Sequence, residues 1–427
     1  MKKIATLLSL ILVLTFQLKA QEEAENPLDT LTRSVSVLQD YVENSKKLKF
    51  SGYIQAQYQY IDTIGAASFA GGNFAANTQH RMMIRRGRIK AAYSTDYAKY
   101  VLQFDVTEKG LAVKDAYGSY NLPFFLPLTF TAGIFDRPFG YEISYSSSLR
   151  ESPERSMIFQ TLFPGERDLG AKLTFQMPKG HPLNPLKFDI GLFNGTGPTA
   201  VDFDDQKDII AHVTYNKSTI SEKFSYGFGL SYYDGGNILS TNKIYSGIKD
   251  INDTVVGFGV DSSFTKYKSY GKRQFFGAEM QFNADFSFGM TTLRAEYLWG
   301  SQLGTSATTK TPSVDPATDA YLRNFNGGYI MLLQNLGTLP LQMVIKYDWY
   351  DPNTEVSKDQ IGAKNSKLGK ADISYNTIGF GLVYRFDPNV KVTFYYDMVT
   401  NEISKNLSGY TYDLKDNVFT TRVQYKF

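Results

Sequence analysis

From Lys49 onward the chain alternates with a period of two. In Phe50-Ser51-Gly52-Tyr53-Ile54-Gln55-Ala56-Gln57-Tyr58-Gln59-Tyr60, the residues Phe50, Ile54, Ala56, Tyr58 and Tyr60 share one parity, while Ser51, Gln55, Gln57 and Gln59 fall on the other. That is the pattern of a β-strand with one face in an apolar medium. With 50–61 as the first, the same reading predicts strands at 81–94, 97–106, 113–121, 128–136, 169–177, 186–194, 208–216, 223–233, 273–284, 286–300, 325–335, 340–350, 375–387, 389–399 and 417–427, sixteen in all. Runs of about 9–11 residues are what a tilted bilayer crossing needs. Phe224, Tyr226, Phe228, Leu230 and Tyr232 form one outward apolar row, and Val390, Val392, Phe394, Tyr396 and Met398 another.

The connections between these strands alternate in length. Thr95-Asp96, Asp285 and Pro388 are tight links, whereas 62–80, 137–168, 195–207, 234–272, 301–324, 351–374 and 400–416 are long. Only the connection after the third strand, between 106 and 113, is modest. Long loops at one end and tight turns at the other are the signature of an outer-membrane barrel. A soluble sandwich or propeller has no reason to gather its long loops at one end. The predicted fold class is therefore an all-β transmembrane β-barrel of sixteen antiparallel strands, residues 49–427, with both barrel ends on the periplasmic side. The last strand ends in Val423-Gln424-Tyr425-Lys426-Phe427. A terminal Phe after alternating aromatics resembles the signal that hands such chains to the outer-membrane assembly machinery.

The first 48 residues read differently. Met1-Lys2-Lys3, an apolar run from Ile4 to Leu18, and Ala20 before Gln21-Glu22-Glu23 form a secretory signal peptide over 1–20, too short to cross a bilayer as a helix. Residues 21–48 are expected to be a periplasmic helical segment. Leu28, Leu31, Val35, Leu38 and Val42 are spaced 3, 4, 3 and 4, the seam of a heptad repeat. A lone helix of this length is not stable in water. It forms a coiled coil between copies, packs on its own chain, or serves as a linker.

Composition narrows the function. There are 30 Tyr, 31 Phe and 2 Trp but no Cys and only 3 His. The missing Cys excludes disulfides, thiolate metal sites and a Cys nucleophile. A mean hydropathy of −0.28 excludes a bundle of transmembrane helices but not a barrel, whose alternating strands average to nothing. Residues 1–20 hold three of the 45 basic residues and no acid, which leaves 42 basic against 42 acidic in the remainder. Global charge thus points to no nucleic-acid partner. His80, His181 and His212 fall on separate predicted elements, and no Gly-x-Ser-x-Gly elbow or phosphate loop is present, so no enzyme, cofactor or metal centre is expected.

Several segments carry a family resemblance. They are Arg85-Arg86-Gly87-Arg88-Ile89-Lys90, Lys114-Asp115-Ala116-Tyr117, Gly133-Ile134-Phe135-Asp136-Arg137-Pro138-Phe139-Gly140, Glu154-Arg155-Ser156, Pro164-Gly165-Glu166-Arg167-Asp168-Leu169-Gly170 and Gly191-Leu192-Phe193-Asn194-Gly195. In this order and spacing, over residues 50–427, the chain resembles the phosphate-selective porin O and P family. The resemblance implies a homotrimer of sixteen-stranded channels with the loop after the fifth strand, 137–168, folded into the lumen. It also implies phosphate selection by an arginine ladder and a lysine cluster. Arg86 and Arg88 match the ladder in type, but no lysine cluster is legible in the sequence.

Parity assigns the lumen face. Arg86, Arg88, Lys90, Lys99, Asp105, Lys172, Arg294, Lys346 and Arg385 are expected to line the pore and meet anions, because guanidinium suits phosphate and carboxylate geometry. In the loop, Arg137, Arg150, Glu154, Arg155, Glu166, Arg167 and Asp168 either line a constriction or pin the loop to the wall as a salt-bridged strut. The expected function is passive diffusion of small hydrophilic solutes across the outer membrane with a weak anion preference and no tight phosphate block. The expected surroundings are outer-membrane lipid and lipopolysaccharide. The alternative is a structural or adhesive barrel with a closed lumen.

Overall fold

The computed structural model describes residues 35, 47–122, 127–219, 221, 223–239, 243–261, 270–313 and 318–427. The chain divides into two units, residues 1–49 and 50–427. The expected signal peptide and heptad seam lie outside the described residues, apart from Val35 and Lys47, both helical.

The alternating segments become β1 (Leu48–Ile61), β2 (His80–Ser94), β3 (Ala98–Thr107), β4 (Gly110–Leu122), β5 (Leu128–Asp136), β6 (Arg167–Gln176), β7 (Leu186–Phe193), β8 (Asp208–Ser218), β9 (Phe224–Ile238), β10 (Ile244–Lys249), β11 (Val255–Val260), β12 (Tyr270–Phe286), β13 (Gly289–Gly304), β14 (Ala320–Asn335), β15 (Leu341–Asp351), β16 (Tyr375–Arg385), β17 (Val390–Asn401) and β18 (Val418–Lys426). Sixteen of them, all but β10 and β11, form a closed antiparallel barrel. Closure is direct: β18 pairs with β1 from Tyr53↔Lys426 to Ile61↔Val418, so no edge is left between first and last strand.

Two local differences from the sequence reading have physical causes. The long connection after β9, expected to be loop throughout, holds a short hairpin, β10–β11. Its six-residue strands, interrupted by Gly247, Gly257 and Gly259, are too short for a clean period. It is stabilised by parallel pairing to the top of β14 and by the packing of Tyr245, Val255 and Phe258 on Tyr321, Ile361 and Ile373. The turn between β12 and β13 also falls later than expected, because Gly289 at φ 117 makes the bend.

Alternation sets the two faces. Leu230, Ile330, Phe380 and Phe394 lie exposed on the outer wall, while Gln55, Gln57 and Gln59 are buried inside. On one side of the barrel, however, the inward residues are apolar. Tyr233, Phe275, Leu298, Phe325, Tyr329, Tyr350 and Tyr395 form a buried core within the barrel itself. What covers them is the loop after β5.

The constriction loop and the charged wall

The loop Arg137–Glu166 carries two short helical turns, α1 (Tyr141–Ser144) and α2 (Met157–Leu162). Phe139, Ile143, Ile158, Phe159, Leu162 and Phe163 project from it into the apolar core. Phe163 meets Phe139 with ring centroids 4.9 Å apart and crosses Tyr233 and Phe275 edge-on. Burial of six such side chains contributes about 1.5–3 kcal/mol each, enough to hold the loop inward. This part of the lumen is dry.

Polar contacts fix the loop's register. The Glu296 carboxylate of β13 accepts the backbone N–H groups of Tyr141 and Glu142. Glu142 in turn accepts the Ser156 N–H and pairs with Lys346 at 3.3 Å, and Lys346 also meets Asp348 at 3.6 Å. Arg294 pairs with Glu151 at 3.0 Å. Across the barrel, Lys391 donates to the Arg150 carbonyl, and Arg422 donates to that of Pro153. Glu154 is the anchor on this side. It accepts from Arg85 Nε and Nη2, both at 2.8 Å, from Arg86 at 3.0 Å and from Arg422 at 2.9 Å. Burial would raise the Glu154 carboxyl, but Arg85, Arg86 and Arg422 hold it well below the usual carboxylate range.

The base of the loop is a second network. Arg155 donates to Glu166, and Arg167 pairs with Glu166 at 3.0 Å, Asp115 at 2.9 Å and Asp136 at 3.1 Å. Asp168 accepts the Gly195 N–H and stands 4.0 Å from Arg137. Most charged residues of the loop are engaged in contacts that pin it, while the buried Arg150 guanidinium has no hydrogen-bond partner among the described residues. Gly140 shows how tightly it sits: its φ is 62°, and a Cβ there would strike the Glu296 carboxylate. Gly140→Ala is expected to destabilise the seated loop by about 1–3 kcal/mol, seen as faster proteolysis within 137–166 while the barrel resists. Unchanged protection would show that Gly140 is not a constraint.

Two cavities border the loop. The larger, about 770 Å³, is lined by Lys90, Lys99, Lys172, Lys187 and Lys426 together with Arg88, Asp115, Asp189 and Glu279. The smaller, about 230 Å³, lies between the loop and the wall and is lined by Arg85, Arg86, Arg88, Lys114, Arg155 and Lys310 with Asp105, Glu154 and Glu166. Arg88 borders both. Its Nε is 3.5 Å from Asp105 Oδ2.

The wall thus unites part of the sequence-predicted set. Arg86, Arg88, Lys90, Lys99, Asp105 and Lys172 line these cavities, and Lys172 shares Asp189 with Lys187. Arg294 and Lys346 are tied to loop acids, and Arg385 donates to Gln342 and borders neither cavity.

Three cations escaped the sequence reading. Arg85 and Arg86 are adjacent, yet both reach Glu154, so alternation breaks there, as at a β-bulge. Lys114 sits where the β3–β4 register slips, between Val113 and Asp115. Lys187 lies on β7 and shares Asp189 with Lys172. A visible signal for the first two was consecutive charges inside a strand, which strict alternation cannot place on one face.

No family model matches the chain, and no curated protein matches it. Solved structures do. The fold is similar to that of an anion-selective porin from Comamonas acidovorans, at 11% identity and TM-score 0.52, over 89% of this chain and 99% of the other. OprB of Pseudomonas putida matches at 9% identity and TM-score 0.59, covering 92% and 96%. OmpF of Salmonella typhi matches at 13% identity and TM-score 0.53, covering 89% and 97%. By architecture the chain is a sixteen-stranded barrel of the bacterial outer-membrane porin fold.

Proposed function

We propose that the chain is an outer-membrane porin that passes small hydrophilic solutes by diffusion and prefers anions. One observation carries the preference. Lys90, Lys99 and Lys426 around the larger cavity, and Lys114 and Lys310 around the smaller, have no ion-pair partner among the described residues. Most acids facing them are committed, Asp105 to Arg88, Asp115 and Asp136 to Arg167, and Asp189 to Lys172 and Lys187, while Glu279 meets His212. A low-dielectric wall focuses such an excess into the pore. Five lysines border the larger cavity, two of them paired with Asp189. Lysines are hydrated point charges rather than bidentate forks, so the surface favours anions as a class and not phosphate alone. The proposal contains no catalytic step: His212 faces Glu279, His80 bonds Tyr58, and His181 caps its own turn.

The dry core under the loop favours a second reading, a closed structural or adhesive barrel. Recording from single channels in planar bilayers under a salt gradient decides between them. Discrete conductance steps with a reversal potential on the anion side are expected. Silent insertion would establish the closed barrel instead.

Export by a cleaved signal peptide and assembly through Phe427 belong to the same proposal. So does a homotrimer, for which β2 gives a reason. Its partner β3 pairs only with Arg88–Ser94, so on that side the edge from His80 to Gly87 has no ladder pairing with β3; Glu108 accepts the Ile84 N–H, Asp105 accepts the Gly87 N–H, and the Val106 carbonyl packs on Gly87. Beside this edge Met82 is 84% exposed and Leu111 68%. An open edge with apolar neighbours is a place for a second copy. Met82→Lys with Leu111→Lys is expected to convert the assembly to monomers on a native gel; a persistent oligomer would move the contact elsewhere.

A further inference from the structure

The outer wall is not uniformly convex. Across β8, β9, β12, β13, β14 and β15 it carries an apolar groove of about 680 Å³, lined by Val213, Tyr215, Phe228, Leu230, Tyr297 and Trp349 among others. Its floor is made by small side chains. Ala278 stands opposite Leu230 on one side and Tyr297 on the other, and Ala295 stands between Met280 and Ile330. Large exposed residues, Phe228, Leu230, Tyr297 and Ile330, rise around these two alanines. The size lies within the roughly 300–1,000 Å³ of ligand-binding clefts.

One charge lies two residues beyond the groove's lining residue Tyr215. Lys217 follows Tyr215 on the same face of β8, one residue before the end of the strand at Ser218. It is exposed and has no ion-pair partner among the described residues. The barrel topology puts this end of β8, which leads into the short turn to β9, on the periplasmic side. A lysine at that level extends to the headgroup layer while its stem lies along apolar surface.

We propose that this groove seats an acyl chain of an anionic phospholipid of the periplasmic leaflet, with the Lys217 ammonium on its phosphate. The proposal rests on the outer-membrane reading given above. The chemistry divides along the site. The alanine floor and the aromatic walls take methylenes in van der Waals contact. Lys217 supplies the attraction that distinguishes an anionic headgroup from a zwitterionic one. Several residues make the groove, whereas an ordinary boundary lipid meets a convex wall and exchanges freely.

The protein contains only two Trp, which makes the test direct. Trp349 borders the groove, and Trp299→Phe leaves it as the sole indole. The full-length protein is placed in phosphatidylethanolamine vesicles containing a minor fraction of phosphatidylglycerol brominated toward the chain end. Trp349 is expected to be quenched about fivefold more than the bulk fraction of brominated lipid would give. Native mass spectrometry should find phosphatidylglycerol retained after detergent washing. Ala278→Leu with Ala295→Leu, which fills the floor, should return both readouts to the bulk value while the barrel remains heat-modifiable. Lys217→Gln, a surface change that spares the fold, should leave the chain seated but remove the preference for phosphatidylglycerol. Quenching that follows bulk composition in the parent, or is unchanged in the filled variant, overturns the site and leaves the membrane reading intact. No quenching by any brominated lipid overturns the site and the membrane placement of this face together.

Discussion

Glu154→Gln is expected to release the constriction loop from the wall and to cost about 3–5 kcal/mol, the range for breaking one side of a buried ion pair. Among the described residues Glu154 is the ion-pair partner shared by Arg85, Arg86 and Arg422, and the last two are only 4% and 5% exposed. A glutamine offers one acceptor and turns its amide donors toward guanidinium donors, so it leaves charges buried and unpaired. The apolar face of the loop remains, so the barrel should stay closed while the loop's central part loosens. The checks are the thermal midpoint of the purified protein, protease access within 145–156, and current noise in single-channel records. An unchanged midpoint and unchanged protection would falsify the anchor role. Because one carboxylate balances several cations, Arg422→Gln on the Glu154→Gln background should recover part of the loss. The pH dependence has a definite sign. Glu154 titrates well below its ordinary value of 4.5, so its stabilisation is complete above that value and fades only as pH falls toward the depressed one. The contacts that Glu154 makes to Arg85, Arg86 and Arg422 should therefore persist under mildly acidic conditions in the parent.

The barrel was legible because lipid imposes a strict alternation on one face. Strand β5 falls on the predicted 128–136, and the other strands differ by a few residues at their ends. The interior was less legible because nothing so uniform acts there. Polar inward positions such as Lys346 and Arg294 read as pore lining, yet loop acids far away in sequence capture them. The dry part did leave a trace. In β9 and β12–β15 both parities are apolar, as in Tyr232-Tyr233, Phe275-Phe276, Leu298-Trp299, Tyr329-Ile330 and Trp349-Tyr350. A strand that is apolar on both faces is covered on both, which marks the wall where the loop lands. Neither the alternation break at Arg85-Arg86 nor the slip at Lys114 follows from period two, since each depends on how neighbouring strands meet.

Selectivity is expected to depend on Arg88 and Lys114 more than on Arg86. Parity alone weights Arg86 and Arg88 equally. The structure separates them. Arg86 gives its charge to Glu154 and a further N–H to Gln55, so the pore sees little of it. Arg88 borders both cavities and its one ion pair among the described residues is with Asp105, at 3.5 Å, while Lys114 has none. Arg88→Gln with Lys114→Gln removes two positive charges and leaves Asp105 uncompensated beside the same passage. The reversal potential in a salt gradient should therefore move toward the cation side, losing about half or more of the parent's anion preference. Arg86→Gln should shift it less, acting chiefly through the loop. The sites are wet, so salt discriminates further: screening lengths of about 10 Å at 0.1 M and 3 Å at 1 M predict a large mutant effect in dilute salt that shrinks in concentrated salt. A parent channel already selective for cations, or a double variant with the parent's reversal potential at low salt, would refute this assignment. An equal shift from Arg86→Gln would mean that Glu154 leaves that guanidinium free to act on passing ions.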